Sequence, residues 1–62
     1  MKPRSKFTIS YRVLDDRGKT VEVIEEEGYN KNYIRWSVER KVNKKYEKEM
    51  RLHQFKIVEE KV

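Results

Sequence analysis

Tyr29, Tyr33, Trp36 and Arg40 follow one another at spacings of four, three and four residues. On a helix, such spacings bring side chains to one face. Tyrosine, tryptophan and arginine are the residue types enriched at the energetic centres of protein interfaces. The chemistry they offer is recognition: large rings to bury, a hydroxyl or indole N–H to orient a partner, and a guanidinium that stacks on rings or pairs with carboxylate. Trp36 falls about 140° around the helix from the centre of the stripe made by Ile34, Val38 and Val42. A small domain with one sheet buries only one side of a helix, so this second stripe is surplus to the core. Each aromatic also has a structural role open to it. Tyr29 can staple the helix start, Tyr33 can close a sheet edge, and Trp36 can pack under the N-terminal segment.

Residues with catalytic chemistry are poorly placed. Acid–base work needs two titratable groups whose surroundings push their pKa values apart. Asp15 and Asp16 precede Arg17-Gly18, which is turn chemistry, and Glu25, Glu26 and Glu27 form a solvated run. His53 is the only histidine, and no nucleophile lies near it in the sequence. The two glycines, Gly18 and Gly28, are ten residues apart and form no phosphate-binding loop. With no cysteine and a single histidine, the chain has no zinc spacing. The expectation is a non-enzymatic protein with no metal, no cofactor and no small-molecule substrate.

The formal net charge is +5, unevenly spread. Residues 1–20 carry +4, residues 21–28 carry −4, residues 29–56 carry +6, and the last six carry −1. Basic balance favours nucleic acid or an acidic protein as partner. Lys2, Arg4 and Lys6 form a short basic arm unopposed by acid, suited to phosphate contacts. Lys41, Lys44, Lys45 and Lys48 extend that option along the helix. The helix cations spread around its axis, however, and Glu39, Glu47 and Glu49 interrupt them, which fits a solvated face.

These residues need elements to hold them. Phe7, Ile9, Tyr11 and Val13 alternate with Thr8, Ser10 and Arg12, the period of a half-buried strand. Val21 and Val23 alternate with Glu22 in a second strand. Asp15-Asp16-Arg17-Gly18 between them predicts a type I turn with Gly18 at positive φ. That turn pairs Val13 with Val21, Arg12 with Glu22 and Tyr11 with Val23. Asn30 is placed to cap a helix whose apolar positions are Ile34, Val38, Val42 and Tyr46, with Tyr29 and Ile34 as a hydrophobic staple. Residues 52–58 return to strand composition.

The predicted fold is α+β, in the order β-β-α-β. Strands span about 7–14, 19–27 and 52–59, the helix about 30–48, and residues 1–6 form a flexible basic arm. A helix between the second and third strands makes those two parallel, so the first sits between them. The result is a three-stranded antiparallel sheet, order 2-1-3, with the helix on one face. The expected core is Phe7, Ile9, Tyr11, Val13, Val21, Val23, Ile34, Val38, Val42, Phe55 and Ile57. The other sheet face would show Thr8, Ser10, Arg12 and Leu14, then Glu22 and Ile24, then Gln54, Lys56 and Val58.

A chain of 62 residues is one domain with marginal burial. Small folds gain from a staple, and without disulfide or metal the one left is association. No apolar run exceeds two residues, so nothing spans a membrane, and a cytoplasmic protein is expected. The leading expectation is a protein-interaction module, a homodimer that docks on or inhibits another macromolecule through Tyr29, Tyr33, Trp36 and Arg40. The alternative is a small nucleic-acid-binding protein using Lys2, Arg4, Lys6 and the helix lysines.

Overall fold

The computed structural model describes residues 4–61. The elements are β1 (Ser5–Leu14), β2 (Thr20–Gly28), α1 (Lys31–Tyr46) and β3 (Arg51–Lys61). The three strands form one open antiparallel sheet in the order β2-β1-β3. The fold is therefore α+β with the predicted order and topology.

The turn forms as its residues dictate. Gly18 N–H donates to the Asp15 carbonyl at 3.0 Å, and Asp15 N–H donates to the Lys19 carbonyl at 2.9 Å. Asp15 Oδ1 accepts from the backbone N–H groups of Arg17 and Lys19, each at 2.9 Å. These backbone donors, Lys19 foremost, hold the Asp15 carboxyl below its ordinary pKa. Gly18 adopts φ +80°, where a side chain is strained. Gly18→Val therefore costs roughly 1–3 kcal/mol through backbone strain alone. No atom crowds the position, so a chemical melt reads that strain directly. An unchanged midpoint would show that the turn relaxes to another geometry.

The register differs from the predicted one beyond the turn. Leu14 pairs with Thr20, as the turn requires, but Val13 pairs with Glu22, Arg12 with Val23 and Tyr11 with Ile24. Val21 is an extra residue, a β-bulge between these pairs. Because side chains alternate, one inserted residue exchanges the faces of everything after it. Glu22, Ile24 and Glu26 thus share the helix side with Val13, Tyr11 and Ile9. Val21 and Val23, expected in the core, lie on the outer face, 45% and 58% exposed. The same event recurs on β3. Tyr11 pairs with Gln54 and Ser10 with Lys56, leaving Phe55 as the extra residue. Phe55 turns to the outer face, where the Arg12 guanidinium lies 4.5 Å from its ring centre.

The helix begins at the predicted cap. Asn30 Oδ1 accepts from Tyr33 N–H at 3.1 Å. It ends two residues early, because Glu47 takes a left-handed conformation at φ 55° that glycine usually fills. Ile34, Val38 and Val42 bury against Ile9, Tyr11 and Val13, and these six are the core. Phe7, Ile24, Tyr46, Met50 and Leu52 pack around them, half-buried. Ile57, also expected in the core, pairs with Ile9 but remains 42% exposed. The helix crosses β2 and β1 and leaves most of β3 uncovered.

Ser5 and Lys6 were expected in a flexible basic arm, and the structure places them in a strand. Lys2 lies outside the described residues, but Ser5 and Lys6 belong to β1 and pair with Lys61 and Glu60 of a longer β3. Ser5 Oγ donates to a Glu59 carboxylate oxygen at 2.6 Å. No helix among the described residues is long and apolar enough to cross a membrane.

Candidate functional site

The side of α1 away from the sheet carries the predicted aromatic stripe. Its positions are fixed by the Asn30 cap and by the Ile34, Val38 and Val42 stripe on the other side. Tyr33 and Trp36 stack with ring centres 5.6 Å apart and planes tilted by 36°. The Arg40 guanidinium lies 4.9 Å from the Trp36 ring and extends the stack by one more turn. A cation over indole is favourable and pre-arranges both groups. Tyr29 stands at the edge of this surface, with the Arg4 guanidinium 5.5 Å from its ring. Tyr29, Tyr33 and Trp36 are all about half exposed or more. None belongs to the buried core or to the side chains packed around it. A shallow recess beside the stack is lined by Trp36, Ser37, Arg40, Lys41 and Lys44. Trp36 is the aromatic member of that lining, and Arg40, Lys41 and Lys44 are its cations.

The flank of the helix over β2 is an ion-pair seam. Lys45 Nζ donates to Glu22 Oε1 at 2.7 Å, and the Tyr46 hydroxyl donates to the same oxygen at 2.6 Å. Lys41 Nζ meets Glu26 Oε2 at 2.5 Å. Glu22 is held below its ordinary pKa by Lys45 first and by the Tyr46 hydroxyl second, and Lys45 is raised in return. A carboxyl with a lowered folded pKa stabilises the fold above its unfolded pKa, about 4.5, and loses that contribution as pH falls. The melting-temperature difference between wild type and Glu22→Gln should therefore shrink on acidification below that value. A difference that persists in acid would assign Glu22 a role independent of its charge.

These pairings bear on the phosphate-binding alternative. Lys6 meets Glu27 at 3.3 Å and Lys48 meets Asp16 at 3.7 Å, in addition to the Lys41 and Lys45 pairs. Of Lys41, Lys44 and Lys45 on the helix and Lys48 just past it, only Lys44 has no ion pair among the described residues. Exposed pairs of this kind are individually weak. They engage these lysines with carboxylates of the same chain.

The residues with catalytic types are dispersed. His53 is exposed on the outer sheet face, opposite Arg12 on β1. Asp15 is occupied by the turn. A cleft of about 260 Å³ between α1 and β3 is lined by Arg35, Glu39, Asn43, Glu49, Met50, Arg51 and Leu52. Arg35 Nε already donates to Glu39 Oε1 there, at 2.9 Å. Burial pushes the Tyr11 hydroxyl up in pKa, with the charges of Arg35 and Glu39 acting on it in opposite directions. Among the described residues, no three His, Cys, Asp or Glu side chains gather as metal ligands would.

No family model, no curated protein and no solved structure matches this chain.

Sequence reasoning missed the outer sheet face. Its expected membership lacked an aromatic. The two bulges instead place Val21, Val23 and Phe55 there with Leu14, Arg12, Lys56 and Val58. The missed signal was electrostatic: Glu22 and Glu26 are opposite in sign to Lys45 and Lys41 of the helix and pair with them. The valines therefore lie on the side away from the helix.

Proposed function

We propose that this chain is a non-enzymatic protein-interaction module that docks on another protein through the outer face of α1. Tyr33, Trp36 and Arg40 form its centre, and Tyr29 and Lys44 lie at its rim. The observation that carries this reading is the stack itself. Two aromatic rings and a guanidinium are held in order on a surface that contributes nothing to the core. Leaving a tryptophan half in water forgoes burial worth roughly 2 kcal/mol. A docking partner recovers that burial. Interface centres are built from these residue types around a desolvated ring. The cations lining the adjoining recess favour a partner segment that carries carboxylates next to an apolar anchor.

Pulldown from the native host with wild type and Trp36→Ala tests the reading. A protein captured by wild type should remain bound at high salt and after nuclease treatment, because buried aromatics are little affected by screening. Trp36→Ala should weaken its binding by about 2 kcal/mol or more, roughly thirtyfold, while the melting temperature stays within a few degrees. Capture that vanishes with nuclease or with added salt would favour the nucleic-acid alternative. A variant that simply unfolds would make Trp36 a packing residue.

A further inference from the structure

We propose that two copies of this chain pair through the open face of the sheet, face to face, about a two-fold axis parallel to β1. This surface lies on the opposite side of the molecule from the Tyr33–Trp36–Arg40 stack, so the inference goes beyond the docking role proposed for the helix.

The outer face carries a set of exposed apolar side chains among its polar ones, where an exposed sheet face is ordinarily polar throughout. Val21, Val23, Phe55 and Val58 are each 39–58% exposed on it, around Leu14 and Arg12. Contiguous exposed apolar surface of this kind marks a contact site. The molecule is a slab of 45 × 19 × 12 Å. Its broad side can supply the ~800 Å² per partner of a standard interface.

Charge identifies the occupant as a second copy. The β2 edge of this face carries Glu25 and Glu27; the β3 edge carries Arg51 and Lys56, with Glu60 at its far end beside Lys6 of β1. Glu25 and Lys56 both pair with Ser10 and so stand at the same level on either side of β1. A two-fold axis parallel to β1 lays the β2 edge of one copy over the β3 edge of the other. It therefore brings Glu25 of each copy over Lys56 of the other, making two identical ion pairs. Val23 stands level with His53, since both pair with Arg12. The same rotation sets Val23 of one copy over His53 of the other, beside the Phe55 ring that lies against Arg12. The two Arg12 side chains would meet as like charges if they rose straight from β1. Each instead leans over Phe55 towards β3, away from the axis and beneath the incoming Glu25. Aligned packing of two sheets about 10 Å apart is a standard arrangement and accommodates these contacts.

Sedimentation of the full chain over a wide concentration range tests the proposal. Wild type should dimerise. Glu25→Lys and Lys56→Glu should each weaken self-association about tenfold or more, because each sets like charges against one another across the axis. An equimolar mixture of the two variants should associate at least as tightly as wild type, since every contact in the mixed dimer is again of opposite sign. Trp36→Ala should leave the dimer unchanged, which keeps this result separate from that of the helix surface. If either charge variant loses its circular-dichroism signature, Val23→Asp serves instead, at a position 58% exposed. It should abolish dimerisation with the fold retained. The proposal is overturned if wild type stays monomeric throughout, if Glu25→Lys or Val23→Asp dimerises like wild type, or if Trp36→Ala removes the dimer.

Discussion

Tyr11→Ala should leave the chain unfolded at room temperature. Tyr11 is the largest side chain of the buried set, 1% exposed at the centre of the central strand. It packs among Ile9, Val13, Ile34, Val38 and Val42. Truncating a buried aromatic to alanine costs about 3–5 kcal/mol, transfer and cavity terms together. A domain of this length has roughly 3–9 kcal/mol of total stability. The loss is thus comparable with the whole. Val23→Ala, with more than half its surface in water in the single chain, should change stability by no more than about 0.5 kcal/mol at dilutions where the chain is monomeric. Urea titration of the two variants separates them. A cooperative Tyr11→Ala transition near the wild-type midpoint would mean that the core is centred elsewhere.

Val38→Asp should be comparably severe, and pH should expose its cause. Val38 is 0% exposed at the middle of the helix, facing the sheet. An ionised carboxylate there has no cation to pair with, and an unpaired buried charge costs about 3–5 kcal/mol. Burial raises its pKa in the folded chain above the unfolded value. Whatever fold survives should therefore be most stable in acid and lost as pH rises. Circular dichroism against pH is the measurement, and a variant folded at neutral pH would contradict it. Glu22 and Glu26 make the comparison instructive. They also face the helix side, yet they stand at its flank, where Lys45 and Lys41 reach them and water is close. Inward-pointing acid is tolerated at the edge of this core and not at its centre.

The strength of the sequence reading lay in local rules. The Asp15–Gly18 turn, the Asn30 cap and the Ile34, Val38, Val42 stripe each follow from a few adjacent residues, and each is found. Strand order followed from them because a helix between two strands leaves few other topologies. Register past the turn did not follow, because a β-bulge leaves no mark on alternation. Val21-Glu22-Val23 alternates equally well whichever face is buried, and so does His53-Gln54-Phe55. Only the charge match between β2 and the helix distinguished the two faces. The aromatic stripe was legible because helical period alone sets it opposite the core. The arm was misjudged at Ser5 and Lys6, whose strand partners lie more than fifty residues away at the C-terminal end of β3.

Both bulges lie on the outer strands, at Val21 and Phe55, while β1 between them is unbroken. The central strand thus acts as a ruler against which each neighbour carries one residue of slack. Removing Val21 would leave Leu14 opposite Thr20 and Val13 opposite Glu22, with every later pairing as it is now. Removing Phe55 would do the same on the other side. These two sites are therefore where chain length is free to vary in this fold. A one-residue deletion there is absorbed locally, whereas at most other strand positions it would turn an entire edge strand over.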